Sequence, residues 1–422
     1  MHAIKAVIMA GGLGTRLASL TPDIPKPMIP VGGKPVLLHQ IECLKKNNIT
    51  DITFITGYSA DKIEAYFGDG GTWGVNISYI VEEIPLGTAG GLYYLKECLH
   101  DTFLLINGDI LFDVDFFRMF RWHKKKGAVA TLLTHPNNHP YDSALVITDE
   151  QSRVTNWLHK EEPREDYNNR VNAGIHMLEP EVLEKMKAPV KTDLDRDMLK
   201  PMVITKGVFA YDTPEYVKDL GTPDRYERVC RDFENGLVEA KNLRHKQKAV
   251  FLDRDGTINK YSGFITHPDQ IELLPGVSEA IRKLNNSAYL TIVVTNQPII
   301  ARGDCDHDEL NAIHRRLERL LGEAGAYLDA IFYCPHHPDK GFTGERAEYK
   351  IECPCRKPQP GMLLQAHEKF NIDLSKSYMV GDHDRDVQAG LAAGCTSLKI
   401  DAQTPRRTSL LECVDAILEG VV

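Results

Sequence analysis

The apolar run Ala249-Val-Phe-Leu252 stops abruptly at Asp253-Arg-Asp255-Gly-Thr257. A short apolar run bounded by a turn signal reads as a buried strand, and this one delivers two carboxylates to a tight turn at its end. The same pattern recurs along the chain. Strand-like runs lie at Lys5–Ala10, Ile52–Thr56, Thr102–Ile106, Ala249–Leu252, Thr291–Val294 and Tyr378–Val380, with amphipathic stretches such as Val36–Asn47 and His307–Gly322 between them. That alternation is the rhythm of α/β chains built on doubly wound parallel sheets. Such sheets bind ligands beyond the carboxyl ends of their strands. Chemistry is therefore expected at the residues that follow each apolar run.

A chain of 422 residues exceeds what one ordinary core supports and fits two domains. The expected architecture is α/β with two doubly wound domains, a Rossmann-like one over 1–238 and a second over 248–422. Residues 239–247, polar and rich in Lys, Arg and Asn, are the expected linker. There is no internal repeat and no low-complexity tract. The net charge of -9 argues against nucleic acid as a partner, so phosphate must be held by local basic clusters. No N-terminal apolar stretch follows a positive charge and no run approaches membrane-spanning length, so a cytoplasmic protein without a membrane partner is expected. Three of the nine cysteines crowd between Cys334 and Cys355. In a reducing compartment that crowding favours metal over disulfides.

A second strand-and-turn signal opens the chain, where Gly11-Gly12-Leu-Gly14-Thr15-Arg16 follows Lys5–Ala10. The glycines let backbone N–H groups approach phosphate oxygens, and Arg16 is a bidentate donor for a triphosphate. Alone, this loop reads equally as a turn without a ligand. It is followed by Pro25-Lys26-Pro27-Met-Ile-Pro30, whose prolines are expected to hold Lys26 on a stiff extended segment.

Together these motifs resemble the sugar-1-phosphate nucleotidyltransferases over residues 1–235. The resemblance continues through Leu86-Gly87-Thr88-Ala-Gly90, Asn107-Gly-Asp109, Val171-Asn172-Ala-Gly174 and Asp219-Leu-Gly-Thr222. It implies that Asp109 and Asp219 hold a catalytic Mg²⁺, which suits oxygen ligands, and that Lys160 holds the phosphate of the sugar. Where the family carries a sugar-hydroxyl glutamate and a proline around that lysine, this chain has His159 and Glu161. Asn172 is the next sugar-contact candidate, with a turn asparagine as the alternative. The implied reaction is in-line attack of a sugar-phosphate oxygen on the α-phosphorus of a nucleotide, releasing pyrophosphate. A phosphate monoester is mostly dianionic at neutral pH, with a second pKa of about 6. No general base is needed, and Arg16, Lys26 and Mg²⁺ supply charge neutralisation. Glu82 lies where the family places a base-reading side chain. A carboxylate can accept from both N1–H and the exocyclic amine of guanine, which favours GTP. The alternative is a solvated Glu82, with Glu83 or backbone reading the base.

In the C-terminal half, Asp253-x-Asp255-Gly-Thr, Thr295-Asn296-Gln297, Lys357 within Arg356-Lys-Pro-Gln-Pro-Gly361, and Gly381-Asp382-x-x-x-Asp386 form an ordered series. It resembles the haloacid-dehalogenase phosphatases over residues 246–422. The chemistry assigns Asp253 as nucleophile and Asp255 as the acid that protonates the leaving alcohol and then activates water. Thr295 is a phosphoryl donor, and Lys357 neutralises the phosphate. Asp253, Asp382 and the carbonyl of Asp255 are the Mg²⁺ ligands, with Asp386 orienting that shell. No large insertion separates Asp253 from Thr295, so no big cap domain is expected. Cys334-Pro-His336-His337 and Cys353-Pro-Cys355 bracket a loop. The expected Zn²⁺ ligands are Cys334, His336, Cys353 and Cys355 in a closed, structural site. His337 is the alternate ligand, and buried thiols beside an unrelated histidine are the alternative reading.

The zinc loop and Thr-Asn-Gln-x-x-Ile-Ala-Arg302-Gly are similar to the D-glycero-D-manno-heptose 1,7-bisphosphate 7-phosphatases, and in part to the histidinol-phosphate phosphatases. Arg302 and Arg356 are candidates for a second phosphate on the substrate, and Asn296 is a further sugar-phosphate candidate. Pro298 and His383 depart from the heptose branch. Heptose 1-phosphate, the product of that phosphatase, is a substrate for a guanylyltransferase of the type that opens the chain. The expected protein is thus a bifunctional enzyme making a GDP-heptose, most directly the D-glycero-α-D-manno form, from GTP and heptose phosphates. A homo-oligomer stays open. One alternative keeps two enzymes with another sugar, such as mannose 1-phosphate, another nucleotide, and a phosphatase target such as histidinol phosphate. Another makes one domain an inactive assembly module.

Overall fold

The computed structural model describes residues 4–12, 24–57, 59–205, 207–341, 343–401, 403–404 and 406–422. The chain falls into two compact units. One comprises Met1–His135, Val146–Leu158 and Asn172–Asn242; the other comprises Pro136–Leu145, His159–Val171 and Leu243–Val422.

In the first unit, the strand Lys5–Met9 is central. Ala6, Val7 and Ile8 are buried on both faces, as a strand between helical layers requires. It pairs in parallel with Asp51–Thr56 on one side (Lys5 with Asp51) and with Phe103–Asn107 on the other (Lys5 with Phe103). Asn76–Val81 extends the parallel run beyond Asp51–Thr56, and Val171–Leu178 joins Phe103–Asn107 antiparallel. Among the described residues these belong to a nine-stranded sheet. The helix Val36–Lys46 packs Leu37, Leu38, Ile41 and Leu44 into the core. That spacing is one helical face, and each buried leucine contributes about 1.5–3 kcal/mol. Ile110–Asp113 pairs antiparallel with Tyr216–Asp219, setting Asp219 against Ile110 and hence beside Asp109.

The expected extended segment around Lys26 is a 3-10 turn, Lys26–Met28, in which Met28 N donates to Pro25 O at 2.7 Å. Proline at the second position is compatible with the turn because its fixed φ suits helical geometry and its missing N–H is not needed there. The strand pair Pro30–Val31 and Lys34–Pro35 follows. In the polar segment 239–247, Lys241, Asn242, Leu243 and Gln247 are buried.

The second unit carries a parallel five-stranded sheet in the order Ala330–Cys334, Tyr289–Asn296, Lys248–Leu252, Tyr378–Gly381, Thr396–Lys399. Alternate residues of its strands feed two separate apolar clusters, so both faces are covered. The helix His307–Glu323 starts at a reciprocal cap. Asp306 accepts from Glu309 N and Glu309 from Asp306 N, each at 2.8 Å, satisfying two otherwise orphaned donors. Its Leu310, Ile313, Leu317 and Leu321 are buried. Among the described residues no helix is long and apolar enough to cross a membrane.

Candidate functional site

Three strands of the second unit end side by side. Asp253 follows Leu252, and its N–H donates to Val380 O at 3.0 Å, docking it on the strand that leads to Asp382. Gly256 turns the chain with φ +83°. A Cβ there would collide with the Asp382 carboxylate, so only glycine lets that carboxylate meet the turn. Asp382 Oδ2 is 2.9 Å from His383 Nδ1. Its Oδ1 is buried and has no hydrogen-bond partner among the described residues. A buried carboxylate oxygen left unpartnered beside a second carboxylate is a donor set that a hard cation completes.

Lys357 is buried with its Nζ 2.8 Å from Asp253 Oδ1 and 2.7 Å from Asp386 Oδ1. Burial pushes the Asp253 carboxyl above its ordinary range; the charge of Lys357 opposes this and that of Asp386 adds to it. Asp386 Oδ2 also accepts from His383 N at 3.0 Å. Asp386 therefore orients Lys357 and the start of the helix Asp384–Ala393, as a supporting group.

Asn296, a candidate for the substrate's phosphate, is paired with Lys357. Its Nδ2 donates to Lys357 O and its Oδ1 accepts from Lys357 N, both at 3.0 Å. The amide clamps the backbone of the lysine. Arg302 is likewise engaged locally, with Nε 2.8 Å from Asp304 Oδ2 and its guanidinium 4.6 Å from the Phe264 ring centroid. Arg356 donates to His336 O at 3.0 Å.

Asp255 accepts four hydrogen bonds from three residues. Arg254 Nε and Nη2 donate to its two oxygens at 3.0 and 2.9 Å, Asn259 Nδ2 to Oδ1 at 3.0 Å, and Gln297 Nε2 to Oδ2 at 2.9 Å. Burial alone would raise its carboxyl, but Arg254 and these hydrogen bonds outweigh it and hold the group below its ordinary range. Gln297 Nε2 also donates to Thr295 Oγ1 at 2.9 Å, which leaves the hydroxyl hydrogen of Thr295 for another acceptor. Arg254, Asn259 and Gln297 received no role from the sequence. Their one signal is position: each lies within or next to a motif that carries an assigned residue.

Cys334, His336, Cys353 and Cys355 converge, their donor atoms all within 4.8 Å of one another. The sulfur pairs are 3.5, 3.2 and 3.3 Å apart, and His336 Nδ1 is 3.7 and 3.5 Å from Cys334 and Cys355. A tetrahedral centre with metal–sulfur bonds of about 2.3 Å has edges near 3.7 Å, so these residues fit one. Hydrogen bonding within the group, with Cys334 first and Cys353 and His336 after it, outweighs burial and favours a thiolate at Cys355. His337 stands outside the group; its Nδ1 accepts from Asp339 N at 3.2 Å.

In the first unit, Gly11 and Gly12 follow the central strand, while Gly14, Thr15 and Arg16 lie outside the described residues. Glu82 follows the strand Asn76–Val81, and a Cβ on Gly11 would come within 3.6 Å of its Oε2. Glu82 Oε2 accepts from Leu86 N at 3.2 Å, and Oε1 is buried with no partner among the described residues. Burial raises its carboxyl. It is thus a directed group and not a solvated one, whereas Glu83 is exposed. Gly87, at φ +81°, bridges to Thr192, and Thr88 Oγ1 accepts from Leu194 N at 2.8 Å.

Asp109 and Asp219 are brought together by Leu220 N donating to Asp109 O at 3.3 Å. Asp109 Oδ2 is 3.2 Å from Lys26 Nζ. The two Asp219 oxygens lie 3.0 and 3.2 Å from Arg225 Nη1, a partner the sequence did not flag. Asn172 Nδ2 donates to Asp195 Oδ2 at 3.1 Å. Lys160 is exposed, 3.8 Å from Asp142 Oδ1, and His159 beside it is buried.

The profile of the Nucleotidyl transferase family matches residues 5–236, and that of the HAD-hydrolase-like family matches residues 354–417. Over 258 residues the chain is 34% identical to a mannose-1-phosphate guanylyltransferase of Mycobacterium tuberculosis, covering 60% of this chain and 71% of that protein. Over 145 residues it is 45% identical to a D-glycero-beta-D-manno-heptose-1,7-bisphosphate 7-phosphatase of Yersinia pestis, covering 34% of this chain and 75% of that protein. The protein of the same name in Photorhabdus laumondii is 40% identical over 174 residues, covering 41% of this chain and 90% of that one. The chain belongs to the nucleotidyl transferase family in its N-terminal part and to the haloacid-dehalogenase phosphatases in its C-terminal part: it is an enzyme in which a sugar-1-phosphate nucleotidyltransferase is fused to a homologue of the heptose-bisphosphate 7-phosphatases.

Proposed function

We propose that this enzyme removes the C7 phosphate of D-glycero-D-manno-heptose 1,7-bisphosphate and transfers GMP from GTP to the resulting heptose 1-phosphate, giving GDP-heptose and pyrophosphate. The observation that carries this reading is the joining of the two families in one chain: the product of one reaction class is the substrate class of the other. The division into a transferase over 1–238, a linker at 239–247 and a phosphatase over 248–422 belongs to the same reading. Hydrolysis at C7 leaves C1 untouched, so the anomer accepted as bisphosphate is the anomer activated. The phosphatase relatives are named for the β form.

In the phosphatase half, Asp253 attacks phosphorus. Entry of a phosphate dianion favours the protonated form of Asp255, which then gives its proton to the leaving oxygen. The carboxylate left behind, held by Arg254, Asn259 and Gln297, draws a proton from the water that opens the aspartyl phosphate. Thr295 and Lys357 bind the phosphoryl oxygens. Asp253, Asp382 and the Asp255 carbonyl would hold Mg²⁺, which supplies charge neutralisation when bound. In the transferase half, Asp109 and Asp219 would hold the corresponding ion, with Arg16 and Lys26 on the triphosphate.

The direct test supplies GTP, Mg²⁺ and heptose 1,7-bisphosphate and analyses the products by mass. GDP-heptose with one phosphate and one pyrophosphate per turnover is expected. Use of mannose 1-phosphate, with the heptose phosphates left untouched, would overturn the sugar assignment.

Base choice is tested at Glu82. Glu82→Gln turns a double acceptor into a donor–acceptor pair, so one guanine donor loses its partner. A hydrogen bond to a charged group contributes about 1.5–3 kcal/mol, roughly ten- to more than a hundredfold in specificity. GTP use should fall by that factor relative to UTP. A wild-type preference for UTP, dTTP or ATP in competition would refute guanine.

The Cys/His group is proposed to hold one structural Zn²⁺ that fixes the approach to Arg356 and Lys357. Elemental analysis should find one zinc per chain, and Cys353→Ser should lose it, lowering phosphatase turnover more than transferase turnover. Zinc content unchanged in that variant would remove Cys353 from the ligand set.

A further inference from the structure

Asp195 is a carboxylate of the first unit that no motif assigned. It stands on the helical turns Leu194–Leu199. Asn172 Nδ2 donates to its Oδ2, and Asn172 Oδ1 accepts from Gly174 N at 3.3 Å, which fixes the orientation of the amide. Asp195 Oδ1 makes no hydrogen bond among the described residues. His176 Nε2 is 3.9 Å away, beyond hydrogen-bond range. His176 is buried and pushed down to about 4 by that burial, so it is neutral at pH 7 and does not offset the charge. The Asp195 side chain is 27% exposed, so it is open on one side.

The segment before it is tied to the expected nucleotide loop. Thr88 N and Ala89 N both donate to Thr192 O at 3.1 Å, Thr192 N donates to Leu86 O at 2.9 Å, and Leu194 N donates to Thr88 Oγ1. Asn172 lies on the strand that pairs with Phe103–Asn107, and Asp109 follows that strand. Asp195 is therefore held between the nucleotide loop and the strand that leads to the metal carboxylate. Burial, with Asp193 adding, raises its carboxyl to about 7. A partly buried carboxylate with one open oxygen gains from a hydroxyl donor.

We propose that Asp195 accepts a hydrogen bond from a ring hydroxyl of the sugar 1-phosphate, the task left vacant where the family's glutamate is replaced by His159, and that Asn172 orients it. This rests on the nucleotidyltransferase reading of the first unit and is independent of which sugar is used.

The test measures pyrophosphate release by the full chain with GTP and heptose 1-phosphate or mannose 1-phosphate. In Asp195→Asn, KM for the sugar phosphate should rise about ten- to a hundredfold, with KM for GTP and phosphate release by the other half unchanged. A panel of monodeoxy mannose 1-phosphates then identifies the contact. One analogue should be disfavoured by the wild type and not by Asp195→Asn or Asp195→Ala, because the variants have lost the acceptor that senses that hydroxyl. A merely structural role would lower kcat and GTP use together and would penalise every analogue in parallel. That pattern, or an unchanged KM in a wild-type chain that transfers nucleotide, overturns this proposal alone. A wild-type chain that transfers nucleotide to no sugar phosphate overturns the functional reading and this proposal together.

Discussion

Replacing Asp253 by asparagine is expected to lower phosphate release by about a thousandfold or more while pyrophosphate release stays at the wild-type level. The amide keeps the size of the carboxylate and its place on Val380, so the strand end and the turn through Gly256 survive. It cannot form the acyl phosphate, and it removes an anion from the shell around Asp382. The mirror substitution, Asp109→Ala, should stop pyrophosphate release and spare the phosphatase. Parallel assays of phosphate and pyrophosphate on each variant decide the matter. Loss of both activities in either single variant would sink the assignment of two independent chemistries.

Lys357→Met should do two things that can be separated. It removes the cation between Asp253 and Asp386, both buried, so phosphatase turnover should fall with the same severity. It also leaves two carboxylates facing each other without compensation, and breaking a buried pair by removing one partner costs about 3–5 kcal/mol. Adding Asp386→Asn to Lys357→Met removes one of the stranded charges. The double variant should regain most of the stability lost, as a shared network predicts, and none of the turnover. Denaturant midpoints for the three variants measure the first effect, and initial rates the second. A double variant that regains activity would mean that Lys357 serves the fold and not the phosphate.

Much of this was legible because the chemistry sits at strand ends, and strand ends are marked by a change from apolar to acidic or glycine-rich sequence. Asp253 and Asp382 follow that rule, and each of the six strands read in the sequence is found with its ends shifted by at most two residues. The convergence of Cys334, His336, Cys353 and Cys355 was readable because residues able to hold a metal carry a spacing. What escaped were contacts between segments distant in sequence. The contact of Asn296 with the backbone of Lys357, 61 positions away, carried no sequence signal. Asp195 belongs to no motif, and only its hydrogen bond to Asn172, 23 positions away, marks it, while Arg225 lies six positions after Asp219 on the helix Pro223–Glu234, where a charged helical residue carries no signal of its own. The segment 239–247 is polar in composition, yet Leu243 and Gln247 within it are buried beside the strand that begins at Lys248.

The Cys/His group has a polymer-physics consequence. The strand Ala330–Cys334 is fixed by pairing with Tyr289–Asn296, and Cys355 lies 21 positions further on, two before Lys357. Without a bound ion, the lysine is presented at the end of a loop of about that length. With the sulfurs of Cys334 and Cys355 tied to one centre, the free span shrinks to the two chain positions from Cys355 to Lys357, with Arg356 alone between them. Loop-closure entropy scales as three-halves RT times the logarithm of length, so shortening the span this way lowers the cost of presenting Lys357 by about 2 kcal/mol. Being entropic, that contribution grows with temperature. Phosphate release by chelated enzyme should therefore weaken more steeply on warming than release by the intact enzyme, and the ion would act as a thermostat on the lysine without touching the substrate.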